Sequence, residues 1–193
     1  VSKLCLGTMN FGEPGQGHQG DWTLGADDAR PIFQAAIEHG VNYFDCADIY
    51  GIGASEIVVG KLLKELLPRD EYTLTTKVSM PMGRAPNQGG LSRKHIMEGI
   101  DQSLKRLGHD YVDQLIIHRH PHGIPGLAQT PIEETMEALN DVVKAGKALY
   151  LGASSMFAWQ FAELQMTAAH NGWTKFISMQ NHLNLIYREE ERE

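Results

Sequence analysis

The stretch VNYFDCADIYG, Val41 to Gly51, decides how this chain of 193 residues folds. Its first half packs β-branched and aromatic residues together, as a strand does, and it then delivers Asp45 and Tyr50 into a glycine-bounded loop. A strand covered on both faces has little use for a carboxylate, because burying an unpaired charge is costly and the group would sooner take up a proton. Asp45 therefore needs a cationic partner.

On either side of this stretch the hydrophobic period switches repeatedly between two and 3.6. Strands are expected at KLCLGTM (3–9), VNYFDCA (41–47), EYTLTTKV (71–78), YVDQLIIH (111–118), ALYLGAS (148–154) and FISMQNH (176–182). Helical patterns fill the intervals: Asp28 to His39, Ser55 to Leu67, Ser92 to Leu107, Pro131 to Ala145 and Ala158 to His170. Gly40, Gly108, Gly146 and Gly172 stand where left-handed helix C-caps are wanted. Thr130-Pro131-Ile132-Glu133 reads as a capping box with proline at the first helical position. No domain linker or low-complexity tract interrupts the series, and the Gly-rich GEPGQGHQGDW after the first strand is a single surface excursion.

Composition narrows the function. The chain is 42% hydrophobic and 21% charged, enough for one globular domain with a substantial core. A formal net charge of −7 speaks against nucleic acid or an anionic membrane as partner, since both call for clustered Lys and Arg. A small-molecule partner fits, and self-association stays open. The cysteines, Cys5 and Cys46, form no CxxC pair, and no apolar run resembles a signal or a membrane span, so a reducing cytoplasm is the default expectation.

Six strands alternating with helices imply a parallel sheet with right-handed crossovers, either doubly wound or a (β/α)8 TIM barrel. The polar residues choose between them. Asp45, Lys77, His118, Ser154 and Gln180 end five successive strands, where purely structural strands would keep Val, Ile or Leu. Functional groups gathered from many strand ends are a barrel property. Along the third strand, Lys77 shares a face with Thr73 and Thr75, while Leu74, Thr76 and Val78 share the other, so the lysine points into the barrel. An inward Asp45 on the second strand can meet it there.

Tyr50 completes a chemical set. A phenol is a poor acid at neutral pH, but an adjacent ammonium stabilises its phenolate and is expected to bring its pKa down. Asp45 would hold Lys77 charged and oriented, and His118 could donate a hydrogen bond to an oxygen on which charge develops. These groups suit carbonyl reduction.

Asp45 and Tyr50 in DCADIYG, Lys77 in LTTKV and His118 in LIIHR together resemble the catalytic tetrad of the aldo-keto reductases, in the same order and on the same strands. The resemblance runs from GTMNFG through GKALYLGASSM to SMQNHLNLIYREEERE, with wording similar to the aryl-alcohol-type branch and, more distantly, to potassium-channel β subunits. It implies a barrel of which residues 1–193 supply six strands and five to six helices as a single domain, with NADPH across the mouth and an aldehyde or ketone as substrate. It also implies that Gly7, Thr8 and Met9 approach the nicotinamide ribose, that Asp45, Ser154 and Gln180 line the cofactor site, and that Ser155 takes the place of the family's usual asparagine. Trp22, Tyr50, His118 and Arg119 become the substrate-side residues, Arg119 standing where the family often has an aromatic.

Other readings compete. The channel-subunit likeness allows a non-catalytic cofactor-binding partner subunit. His118-Arg119-His120-Pro121-His122 has the alternation that places imidazoles on one strand face, as barrel metallohydrolases do, with His182 as a further ligand. The favoured reading contains no metal. Gly15-Gln16-Gly17-His18-Gln19-Gly20 matches a dinucleotide-binding G-x-G-x-x-G but does not open a helix directly. A barrel takes about 250 residues, so counting leads to the expectation of a longer chain supplying two more strands, with REEERE beginning a sixth helix.

Overall fold

The computed structural model describes residues 1–193 except 18, 124–126, 128 and 193, so His18 of the G-x-G-x-x-G segment and the final Glu193 lie outside the described residues. Six parallel strands, β1 (Leu6–Gly7), β2 (Tyr43–Asp45), β3 (Thr73–Val78), β4 (Val112–Ile117), β5 (Ala148–Ser154) and β6 (Phe176–Gln180), lie in strictly sequential order. A doubly wound sheet must reverse its strand order at a switch point, and this one does not. The architecture is the six-stranded arc of a (β/α)8 barrel, with helices α1 (Ala26–Glu38), α2 (Ala54–Leu66), α3 (Arg93–Leu107), α4 (Ile132–Lys144) and α5 (Ala158–Asn171) between successive strands.

Each helix packs on the next around the outside of the sheet. The core between them is continuous: Phe11, Phe33, Phe44 and Tyr72 form a ladder of ring contacts with centroids 5.2 to 6.2 Å apart. Leu62, Leu74, Ile96, Ile100, Leu107 and Leu115 close it farther along. At roughly 25 cal/mol per Å2 of apolar surface removed from water, such side chains are the main favourable term in folding.

Strand and helix limits fall within a few residues of those expected, with the largest contraction at the first strand. Only Leu6 and Gly7 of KLCLGTM pair as a ladder, and beyond them the chain turns so that the Thr8 amide and hydroxyl both donate to the Asp45 carbonyl. The expected capping box before α4 does not form. Pro131 occupies the N-cap itself with ψ at 137°, and no side chain caps that end. Proline's fixed φ suits the cap as well as the first helical turn, which moves the helix start one residue on. Ser92 does cap α3, accepting from the His95 amide. Gly40, Gly108, Gly146 and Gly172 all adopt positive φ at or just past helix ends, as expected. In REEERE the described residues Glu189–Arg192 form a 3-10 turn. Among the described residues, no helix is long and apolar enough to cross a membrane.

Candidate active site

The period-two geometry of β3 sends adjacent residues to opposite faces of the sheet. Lys77 points into the barrel, where it is 1% exposed. Its ammonium donates to Asp45 Oδ2 at 2.6 Å, to the Cys46 carbonyl at 2.9 Å and to the Tyr50 hydroxyl at 3.3 Å, so each of its three hydrogens has an acceptor. The other Asp45 oxygen accepts from Thr75 Oγ1 at 2.8 Å, which fixes the carboxylate without spending the ammonium. The partner demanded by Asp45 is therefore Lys77. Burial alone would push the Lys77 ammonium down in pKa, but Asp45 and Tyr50 together outweigh it and hold it above its ordinary value.

Tyr50 reaches this point through an unusual turn. It begins a 3-10 segment, Tyr50–Gly53, in which Gly51, Ile52 and Gly53 all take positive φ. A β-branched residue at φ 50° is strained by about 1–3 kcal/mol, a cost that persists only where the surrounding structure demands it. Ser79 and Ser155, close behind Lys77 and Ser154, also have positive φ. Two of the four positive-φ non-glycine residues among the described residues thus stand just beyond strand-end polar groups, and a third, Ile52, lies in the turn that carries Tyr50.

The expected lowering of the Tyr50 pKa is not found. Burial of the phenol raises it, and the neighbouring Lys77 offsets only part of that rise. The phenol is firmly protonated, while Lys77 remains placed to receive any negative charge that develops on its oxygen. His118 stands across the ring of Tyr50, with centroids 5.9 Å apart and planes at 81°. Burial first, then Lys77 and Arg119, carry its pKa down to about 3, so the imidazole is neutral. Its Nδ1 is buried and has no hydrogen-bond partner. Cys46 is a free thiol beside the pair, but burial pushes its pKa up to about 12, which makes it inert as a nucleophile.

Asp45, Tyr50, Lys77 and His118 are thus brought together. At the far side of the mouth, β5 and β6 end in register, with Ser154 beside Gln180. Ser154 Oγ lies 3.0 Å from Ser155 Oγ, and the Ser155 amide donates to the Gln180 carbonyl at 3.1 Å. Gly7 pairs with Asp45 and has open space around it, whereas Met9 is exposed. Thr8 is fully buried and its hydroxyl donates to the Asp45 carbonyl, so it braces β1 on β2. Arg119 is half-buried and its guanidinium turns back to the His118 carbonyl at 3.3 Å. Trp22 is 51% exposed on the loop after β1.

Two alternative motifs are absorbed locally. The glycine-rich loop is followed by a bridge between Phe11 and Leu24, and the next helix starts only at Ala26, so it does not form a strand-to-helix dinucleotide turn. His120 Nδ1 accepts from the His122 amide, while His182 stacks on Tyr187. Among the described residues, no three His, Cys, Asp or Glu side chains come together as a metal-binding group.

Two buried features were not foreseen. Glu56, fully buried in the first turn of α2, accepts from Thr76 Oγ1 and from Arg106 Nε, both at 2.6 Å. Gly53 permits this, since a Cβ there would come within 2.4 Å of the Arg106 side chain. Asp48, inside DCAD, is buried as well. A carboxylate preceding a helical pattern usually signals a solvated first turn, and only the pairing across α2 and α3 distinguishes this case.

With this geometry in view, the comparisons with known proteins are direct. The Aldo/keto reductase family model matches residues 3–193, and the chain belongs to that family. It is 46% identical to the versiconal hemiacetal acetate reductase of Aspergillus parasiticus, a match that takes in 100% of this chain and 59% of the relative. It is 42% identical to the aldo-keto reductase AMT2 of Alternaria alternata, across 57% of that protein. Among solved structures, the thermostable aldo-keto reductase Tm1743, crystallised with the inhibitor epalrestat, superposes with a TM-score of 0.79 at 27% identity, covering 100% of this chain and 62% of its own. The chain thus spans about three-fifths of the length of these proteins.

Proposed function

We propose that the protein to which this chain belongs reduces an aldehyde or ketone to an alcohol with NADPH, and that residues 1–193 form one barrel domain contributing the proton-donating machinery. The observation that carries this reading is the Lys77 ammonium shared between Asp45 and the Tyr50 hydroxyl, beside a neutral His118. In the proposed reaction Tyr50 gives its proton to the carbonyl oxygen as that oxygen gains negative charge. Lys77 stabilises the phenolate left behind, and Asp45 keeps Lys77 charged and aimed. His118, uncharged, can donate one N–H hydrogen bond to the same oxygen without competing as an acid.

The residues present fit a nicotinamide. Ser154, Ser155 and the Gln180 side chain offer hydroxyl and amide groups suited to a carboxamide, and Gly7 leaves room for close approach, with Met9 beside it and Thr8 bracing the strand. When bound, a reduced nicotinamide supplies the hydride. Trp22 and Arg119 are proposed to border the carbonyl substrate, and a cytoplasmic site of action accords with the two free thiols. The test is to mix the full-length protein with NADPH and a panel of aromatic and aliphatic aldehydes and follow the cofactor's absorbance. Consumption of NADPH that depends on the aldehyde is expected. No consumption with any member, despite demonstrable NADPH binding, would overturn the enzymatic reading and favour a cofactor-binding subunit.

A further inference from the structure

Two of the three buried carboxylates around the Tyr50 loop have a cation: Asp45 has Lys77 and Glu56 has Arg106. Asp48 has none. It is 1% exposed, neither of its carboxyl oxygens finds a hydrogen-bond partner among the described residues, and it lies two residues before Tyr50. Its backbone is fixed, because its amide donates to the Lys77 carbonyl at 3.2 Å. Its side chain borders a cavity of about 110 Å3 between the Tyr50 loop, the loop that follows β3 and α3. His95, 5% exposed on the first turn of α3, borders the same cavity, and its Nε2 is likewise buried and unpartnered. A water occupies roughly 30 Å3 in the liquid, so the space suits a few waters.

We propose that Asp48 is a positioning residue: as a neutral carboxylic acid it donates a hydrogen bond across this cavity toward Nε2 of His95, directly or through water, and so holds the Tyr50 loop against α3. The proposal rests on the reading of Tyr50 as the proton donor. The surrounding charges support it. Burial, then Glu56 from α2, raise the Asp48 pKa well above the usual carboxylate range. The Ile49 amide, which approaches without hydrogen-bond geometry, Arg106 from α3 and Lys77 from β3 offset only part of that rise. Burial lowers His95, with the Asn87 backbone and Glu98 opposing it, so the ring is neutral and has one nitrogen free to accept. Arg106, already committed to Glu56, lines the cavity and repels a metal cation, which leaves a proton as the positive charge Asp48 can take up.

The experiment compares the full-length wild type with Asp48→Asn, Asp48→Leu and His95→Leu. The infrared difference between wild type and Asp48→Asn at neutral pH is expected to contain the carbonyl stretch of a protonated carboxylic acid. Asn retains a donor and an acceptor and should keep most of kcat, whereas Asp48→Leu should lose about ten- to a hundredfold in kcat with a much smaller change in KM. His95→Leu should behave like Asp48→Leu, and the double variant should be little worse than either. Because a raised pKa makes stability decline as pH rises, wild type should lose melting temperature relative to Asp48→Asn between acid and alkaline pH, a comparison that survives even if Asp48→Leu fails to fold. Absence of the acid band, a potassium-dependent melting temperature that Asp48→Asn abolishes, or Asp48→Asn as impaired as Asp48→Leu would each overturn the proposal. If the wild type reduces no carbonyl, the functional reading fails, while the infrared band and the pH comparison still decide the pairing.

Discussion

Thr76 and Lys77 are neighbours on one strand, yet each belongs to a different buried ion-pair cluster, and the two clusters behave as opposites. On the helix side, Glu56 is closed: one oxygen takes Thr76, the other takes Arg106, and Arg106 also reaches Ser103. On the barrel side, Lys77 spends two hydrogens on Asp45 and a carbonyl and turns the third to a tyrosine at the mouth. Both pairs meet at 2.6 Å and each has a fully buried member, Glu56 in one and Lys77 in the other, so distance does not separate them. The difference lies in what the third group is. A saturated pair joins two helices, whereas a pair with one hydrogen on a titratable neighbour can respond to charge appearing there.

Substitutions can break this comparison. The largest effect is expected for Lys77→Met, which leaves Asp45 as an uncompensated buried carboxylate and removes the cation beside Tyr50. About 3–5 kcal/mol of stability should be lost, together with nearly all turnover, measured by denaturant unfolding and by NADPH consumption. An unchanged unfolding midpoint would mean that Asp45 is solvated and the pair unimportant. Arg106→Leu should cost about 3 kcal/mol by the same reasoning applied to Glu56, yet reduce kcat far less than Lys77→Met. Equal kinetic damage from the two would erase the distinction drawn above.

Tyr50→Phe isolates the hydroxyl. A fall in kcat of on the order of 10² or more is expected, worth about 2.7 kcal/mol at roughly 1.4 kcal/mol per decade, with NADPH affinity by fluorescence titration almost unchanged. Wild-type turnover in that variant would remove Tyr50 from the mechanism. The smallest effect concerns pH. The His118 pKa is depressed from 6.5 to about 3 in the folded protein, so its contribution to stability is present above the unfolded value and is lost as pH falls from about 6.5 toward 3. Near pH 5.5, about one unit below the unfolded value, the loss is ~1.4 kcal/mol, roughly 3–6 °C at 2–4 °C per kcal/mol. Melting curves of wild type and His118→Gln should diverge by that amount between pH 7.5 and about 5.5, beyond the sensitivity that His95, His109 and His120 give to both.

Most of the fold was legible because alternating burial writes itself into the chain: β5 begins and ends where ALYLGAS does, and α3 ends at the Leu107 expected of it. The grouping of Asp45, Tyr50, Lys77 and His118 was legible for a related reason, since polar residues at strand ends violate the pattern of their own strands. Glu56 and Asp48 broke no such pattern. A carboxylate at a helix start is ordinary, and its burial depends on Arg106, fifty residues away, which local spacing cannot reveal. The upward shift of Tyr50 was hidden as well, because its sign depends on how deeply the loop is covered. The bracing bond of Thr8 was hidden for a different reason, as it depends on the turn after β1 bringing its hydroxyl to the Asp45 carbonyl.

The sequential strand order has a consequence for biosynthesis. Each of β2 to β6 pairs with the strand made just before it, so each finds that neighbour already synthesised. Asp45 and Lys77 are separated by 32 residues, which at about 5–20 residues per second of translation is an interval of roughly 2–6 s. The carboxylate and its ammonium are therefore translated within seconds of each other, before β4 has been synthesised.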